Sequence, residues 1–295
     1  MTFDFNEVKA AYECIRPYVR KTLLEESFYL GDGERRYFFK LESLQRAKSF
    51  KIRGALNKML TLTAEEAAQG VATVSSGNHG SSVSYAASLL GIQNAKVIVP
   101  EGTPQSKIDR IRYFGAEVLQ MGKSYDEAHR LGLDYIRRHG LTYIDAYYDD
   151  PKIYGGQGTI GIEILEQNPD IRIVGVQTEK CPAMIKSYED GVFYEEYPCE
   201  GDSICDALLG GVGALSYQMV KDCVDDLVAV SEDTVGRAVS FMAREEKFVV
   251  EAGSCTTVAA VMDHRERIGG RQIALVLSGG NIDGQMLASL LEKYQ

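Results

Sequence analysis

The chain has 295 residues, 45% hydrophobic and 25% charged, with a formal net charge of −10. That length allows one large domain or two smaller ones with real cores, and the composition is ordinary for a globular protein. The acidic balance argues against a nucleic-acid surface, which needs clustered positive charge. The start, Met-Thr-Phe-Asp-Phe-Asn, has neither the basic residues nor the apolar core of a signal peptide, and no apolar run is long enough to span a bilayer. A cytoplasmic protein without nucleic-acid or membrane partners is expected. The cysteines at 14, 181, 199, 205, 223 and 255 form no C-x-x-C pair, so reduced thiols are expected rather than a zinc or dithiol site.

Apolar strand-like runs alternate with helical periodicity along most of the chain. Arg36 to Leu41 reads as a strand, and Ser49 to Leu62 as a helix with Ser49 as its N-cap. Thr63-Ala-Glu-Glu66 fits a capping box. Strands at 71–75, 96–100, 117–121 and 142–146 then alternate with helices at 80–90, 104–114 and 124–139. Further strands are expected at 172–177, 227–231 and 273–278, with helices at 158–167, 182–190, 214–223, 232–245, 254–263 and 283–293. This rhythm predicts an α/β protein with parallel sheets flanked by helices. It suggests two lobes: 66–147 as the small one, and 1–65 with 148–295 as the large one.

In parallel sheets ligands bind beyond the carboxyl ends of strands, where helix N-termini offer unpaired N–H groups. Three glycine-rich stretches are expected there as strand-to-helix turns: Ser75-Ser-Gly-Asn-His-Gly-Ser-Ser82, Gly155-Gly-Gln-Gly-Thr-Ile-Gly161 and Ser278-Gly-Gly-Asn-Ile-Asp283. None matches a dinucleotide or P-loop pattern. Lys51 follows Phe50 at the start of an apolar helix. A lysine there is either an ordinary surface residue or an amine tuned for nucleophilic work.

Taken together, S-F-K-I-R-G at 49–54, S-S-G-N-H at 75–79, G-Q-G-T-I-G at 156–161 and S-G-G-N at 278–281 resemble the serine/threonine dehydratases and serine racemases, the pyridoxal-phosphate enzymes of fold type II. The linking segments Pro100–Lys107 and Gly115–Val118 share the resemblance. It implies pyridoxal 5′-phosphate as cofactor, a small amino acid as substrate and a homodimer by analogy. Lys51 would be the Schiff-base lysine and the base that takes the α-proton. Phe50 would pack beside the cofactor ring, Asn78 would bond its 3-hydroxyl oxygen, and Ser278 would meet the pyridine nitrogen. Ser75, Ser76, Asn78 and His79 would cradle the substrate's α-carboxylate. The implied reaction is an ammonia-lyase converting L-threonine, L-serine or a related amino acid to a 2-oxo acid and ammonia. Ser76 leaves a serine racemase open as the alternative, with Lys51 and Ser76 on opposite cofactor faces. The chain ends soon after S-G-G-N, so no appended regulatory domain is expected.

The pattern breaks in four places. Between Glu163 and Val176 the glycine-rich unit that forms the phosphate cup in relatives is absent, near Gln167–Arg172. This loss makes a catalytically inactive relative a third reading, and Gly210-Gly-Val-Gly213 reads as a loop rather than a substitute cup. Ala47 and Lys48 stand where relatives have threonine and glycine, and Lys48 is expected to face solvent. Gln177 and Ala183 stand where some relatives have acidic cation ligands, so no metal site is expected. Ser81 stands where relatives often have glutamine and is assigned no role.

Overall fold

The computed structural model describes residues 3–146, 150–166, 172–199 and 201–295. In chain order the elements are α1 (Phe5–Ile15), β1 (Leu24–Glu26), β2 (Arg36–Lys40), α2 (Lys51–Leu60), α3 (Ala64–Gln69), β3 (Val71–Val74) and α4 (Asn78–Leu90). They continue with β4 (Ala95–Val99), α5 (Gln105–Tyr113), β5 (Glu117–Gln120), α6 (Tyr125–Arg138), β6 (Thr142–Tyr143) and α7 (Pro151–Leu165). The last are β7 (Val174–Thr178), α8 (Ala183–Asp190), α9 (Ala214–Cys223), β8 (Asp226–Val230), α10 (Glu232–Arg244), α11 (Ala252–His264), β9 (Gln272–Val276) and α12 (Gly284–Lys293). The expected α/β alternation is present. Two elements with weak sequence patterns, α1 and β1, add to those expected.

The chain divides into two compact units, Met1–Lys21 with Gln45–Ile162, and Thr22–Leu44 with Glu163–Gln295. The first holds a four-stranded parallel sheet in the order β5-β4-β3-β6. Residues alternate across β3. Val71 joins a core with Val83, Ala86, Ile52 and Leu56, from α4 and α2, while Ala72 and Val74 join another with Ala128 and Ile136 of α6. That double burial is what a parallel sheet covered on both faces requires. The capping box at Thr63 forms as expected, with Thr63 Oγ1 and Glu66 exchanging bonds with each other's N–H.

Two details of this unit differ from the sequence expectation. The helix after Ser49 starts at Lys51, and the Ser49 hydroxyl caps nothing: it is buried with no hydrogen-bond partner among the described residues. The stretch 155–161 is no turn but lies inside α7. Its glycines serve helix packing. A Cβ on Gly156 would stand 2.4 Å from the Arg53 carbonyl oxygen in α2, and one on Gly155 would stand 3.1 Å from that of Glu7 in α1. A glycine pattern that suits a turn also suits backbones in close approach, and here the second applies.

The second unit contains a sheet in the order β1-β2-β9 and a separate β7-β8 pair, with β2-β9 and β7-β8 both parallel. One core serves both. Tyr37, Phe39, Leu275 and Leu277 share it with Val228, Val230, Val258 and Ala259. Helix α11 packs against β7, β8 and β9. Among the described residues no ladder joins β9 to β7, and Val174 to Gln177 are only half-buried. Interior parallel strands are normally buried on both faces, so β7 has the exposure of an edge. The junction at Gln167–Arg172 lies outside the described residues except for Arg172.

The cysteines also depart from expectation. Cys181 and Cys199 are joined as a disulfide, with Cα atoms 4.7 Å apart, rather than all six being reduced thiols. Cys14, Cys205, Cys223 and Cys255 are free. The pairing joins two loop residues 18 positions apart, a proximity that spacing alone does not reveal.

Candidate active site

In the first unit Lys51 is the first residue of α2 and is half-buried. Its Nζ lies 3.4 Å from the Ala146 carbonyl oxygen and 5.2 Å from the Phe50 ring centroid. Helix α2 is anchored from within. Arg53 is 0% exposed, and its guanidinium donates to Thr159 Oγ1 of α7 at 3.1 Å and to the Arg20 carbonyl at 3.3 Å. Asn57 donates to the Lys152 carbonyl at 2.7 Å. A buried guanidinium holds its place only when its donors are met, so these contacts fix the helix that carries Lys51.

Ser75-Ser-Gly-Asn-His79 occupies the turn from β3 into α4, beyond the carboxyl end of β3. Ser75 is buried, and its Oγ accepts from the Gly77 N–H at 3.3 Å. Ser76, Gly77 and Asn78 are half-buried. The turn is tight, since a Cβ on Gly80 would stand 2.2 Å from the Ser75 carbonyl oxygen. The first turn of α4 presents N–H groups that the helix itself does not use, together with the positive end of its dipole.

His79 points inward. It is 2% exposed, and its Nε2 is 3.1 Å from the Ile144 carbonyl oxygen. Burial, and then the charge of Lys51, push its imidazole down to about 3, against the bond to Ile144. The ring is therefore neutral at ordinary pH, with Nε2–H as donor and Nδ1 buried without a partner. The electrostatic reach of Lys51 places the amine and this turn in one neighbourhood. The His79 ring thus secures the end of β6, while its backbone N–H belongs to the first turn of α4.

In the second unit Ser278 follows β9 and is half-buried. Its hydroxyl is 3.0 Å from that of Ser254, in the first turn of α11. Ser254 Oγ also donates to the Gly279 carbonyl at 2.8 Å and accepts from the Gly279 N–H at 2.6 Å. Glu251 takes the Asn281 N–H on Oε2 at 3.2 Å. Sequence reasoning missed Ser254, Glu251, Ala146 and Thr159. Each meets its partner across a long stretch of chain, and no local pattern marks it. Gln177 uses its side-chain oxygen to accept from the Ile185 N–H at 2.9 Å.

The chain is similar to a set of known proteins along most of its length. A family model described as pyridoxal-phosphate dependent enzyme matches residues 15–170 and 165–279. The L-threonine ammonia-lyase of Thermotoga maritima is 34% identical over 319 residues, covering 97% of this chain and 78% of that protein. The catabolic L-threonine dehydratase of Escherichia coli (strain K12) is 33% identical over 297 residues, covering 90% and 89%. Among solved structures, maize serine racemase superposes with a TM-score of 0.90 at 26% identity, covering 100% of this chain and 98% of that one. The processed form of threonine deaminase isoform 2 from Solanum lycopersicum gives 0.88 at 29% identity, covering 99% and 94%. The first alignment is longer than the 295 residues of this chain, so the chain lacks residues that the Thermotoga protein has. The two stretches of the family match meet at 165–170, at the start of the break noted in the sequence.

The residues present fit one part of the cofactor. In the first unit Lys51 carries an amine of the kind that condenses with an aldehyde, beside the Phe50 ring, and in the second unit Ser278 carries a hydroxyl of the kind that can meet a pyridine nitrogen. In the turns after β7 and β9 the N–H groups of Glu179, Lys180, Cys181, Gly279 and Asn281 are already bonded within the protein, which makes them a poor match for a phosphate dianion.

Proposed function

Since the chain belongs to the pyridoxal-phosphate-dependent enzyme family, we propose that it is a lyase that releases ammonia and a 2-oxo acid from L-threonine or L-serine. The observation that carries this reading is the placement of Lys51: half-buried at the head of α2, beside Phe50, and within electrostatic reach of the Ser75–His79 turn.

Lys51 Nζ is the amine that would hold the cofactor's aldehyde and the base that takes the substrate's α-proton. The N–H groups and hydroxyls at Ser75, Ser76, Asn78 and His79 hold the α-carboxylate, with the helix dipole favouring its charge. Asn78 would also bond the ring's 3-hydroxyl oxygen, and Phe50 would lie beside the ring. Ser278 would meet the pyridine nitrogen with a neutral hydroxyl, which would not hold that nitrogen protonated as a carboxylate would. The cofactor, when bound, supplies the electron sink that stabilises negative charge at the α-carbon. Lys51, having taken the α-proton, would return it to the β-hydroxyl, which leaves as water, and hydrolysis of the product would give the 2-oxo acid and ammonia.

Among the described residues no helix is long and apolar enough to cross a membrane. A cytoplasmic homodimer accords with the character of the related lyases as metabolic enzymes and belongs to the same proposal.

The test is an absorption spectrum of the purified protein with pyridoxal phosphate, beside Lys51→Ala, followed by assay for ammonia and 2-oxo acid. A visible band that the variant lacks, with product from L-threonine or L-serine, is expected. A protein that stays colourless in excess cofactor sinks the reading. The strong superposition on maize serine racemase keeps racemisation as the competing outcome. Chiral analysis after incubation with L-serine separates the two, because a racemase yields D-serine where a lyase yields none.

A further inference from the structure

In a parallel sheet a phosphate is held by uncommitted backbone N–H groups where a strand turns into a helix. In the second unit two such turns follow β7 and β9, strands that share no ladder among the described residues. After β7, the Glu179 N–H bonds the Val230 carbonyl at 3.0 Å, Lys180 N–H bonds Thr178 Oγ1 at 3.3 Å, and Cys181 N–H bonds the Thr178 carbonyl at 3.2 Å. After β9, the Gly279 N–H is held by Ser254 Oγ and the Asn281 N–H by the Glu251 carboxylate. A phosphate at that second turn would meet a carboxylate already capping it. Lys180 supplies a cation, but an ammonium on a flexible stem is a point charge rather than a fork of fixed donors.

The glycine-rich loop at 210–213 offers no substitute. The Gly210 N–H lies 3.3 Å from the sulfurs of both Cys181 and Cys199, and the Val212 N–H bonds the Tyr194 carbonyl at 2.8 Å. A Cβ on Gly211 would stand 1.9 Å from the Glu195 carbonyl oxygen, so that backbone is pressed against its neighbour and not open to a ligand.

From these commitments, together with the residues the chain lacks relative to the Thermotoga protein, we infer that this chain recognises the pyridine and aldehyde of its cofactor but not the phosphate. It therefore takes pyridoxal and pyridoxal phosphate with similar affinity. The inference rests on the proposed role of Lys51. A phosphate held by several charge-assisted hydrogen bonds separates the two compounds by about a hundredfold or more, and without them the separation collapses to under about tenfold.

The experiment is a trapping titration on the full chain. Pyridoxal phosphate or pyridoxal is equilibrated with the protein over a range of concentrations and reduced with borohydride. Intact mass and peptide mapping then give the fraction of Lys51 labelled. Each curve is normalised to the same reagent's reaction with Nα-acetyl-lysine, which removes the different intrinsic reactivity of the two aldehydes. Half-saturation values within about tenfold are expected, with inorganic phosphate giving no protection. Selective labelling of Lys51 with pyridoxal phosphate favoured more than about tenfold, or protection by inorganic phosphate, overturns the inference and leaves the Lys51 assignment standing. Failure of both reagents to label Lys51 selectively overturns the assignment and the inference with it.

Discussion

The Nε2 of His79 lies 3.1 Å from the carbonyl oxygen of Ile144, in the interior of the first unit. That bond joins the helix behind the candidate carboxylate cradle to the segment whose Ala146 carbonyl receives Lys51. The folded His79 protonates at about 3, against an ordinary value of 6.5. Between those values the unfolded chain binds a proton that the folded chain rejects. Its contribution to stability is therefore full above about 6.5 and falls as pH drops towards about 3. His79→Gln keeps an N–H donor and removes the titration. Between pH 7 and pH 4.5 the wild type is expected to lose roughly 2–3 kcal/mol more than the variant, read from urea unfolding at the two pH values.

Lys40 and Glu163 form an ion pair in the second unit, with side chains 0% and 2% exposed, and Lys40 also donates to the Thr22 carbonyl. Glu163→Gln leaves an ammonium buried without its counter-charge and is expected to cost about 3–5 kcal/mol. Lys40→Met with Glu163→Leu removes both charges and recovers most of that loss. A double-mutant cycle by chemical denaturation checks both statements. If the double variant is no more stable than Glu163→Gln, the pair contributes through more than its charges.

Lys48 adopts φ +61° on an exposed loop. An L side chain in the left-handed region costs roughly 1–2 kcal/mol, and glycine avoids that penalty. Lys48→Gly is expected to raise the thermal midpoint, with a gain of about 1 kcal/mol, while leaving labelling of Lys51 unchanged. The sequence marks the position as one where relatives carry glycine. Only the backbone shows that this chain keeps the glycine conformation with a lysine in it.

Two glycines of α7 respond in opposite directions to alanine. Gly156→Ala drives a methyl to 2.4 Å from the Arg53 carbonyl oxygen, so α7 and α2 must separate, at a cost of about 1–3 kcal/mol or more. Gly161→Ala meets nothing within 4 Å and gains helix propensity, for a stabilisation of about 0.5–1 kcal/mol. Melting curves of the two variants decide the matter, and equal effects would place 155–161 outside a packed helix.

The alternation of strands and helices, the capping box at Thr63 and the position of Lys51 at a helix start are legible in the chain because each follows from local periodicity or local hydrogen bonding. The stretch 155–161 has the composition of a turn yet forms a helix, because glycine serves tight turns and close helix packing alike and only the partner at Arg53 tells them apart. Ser49 has the right side chain for a cap, yet its helix begins two residues later. Ser254 behind Ser278, and Cys181 paired with Cys199, are contacts made by the folded chain, and no spacing rule announces them. The break near Gln167 is visible in the sequence, and with it the loss of a central strand, but which strands are left without a shared ladder, β9 and β7 among the described residues, is not.

That break also divides the second unit's cooperativity. Within β1-β2-β9, and again within β7-β8, backbone bonds tie each strand's opening to that of its neighbour. Across the break the described residues show side-chain packing, from α11 and the shared core, and no backbone ladder. Side-chain contacts of this kind transmit less than a continuous ladder, so the two strand groups are expected to open as separate foldons. Amide exchange then proceeds in two populations, with Val174–Thr178 and Asp226–Val230 exchanging at a lower opening free energy than Arg36–Lys40 and Gln272–Val276.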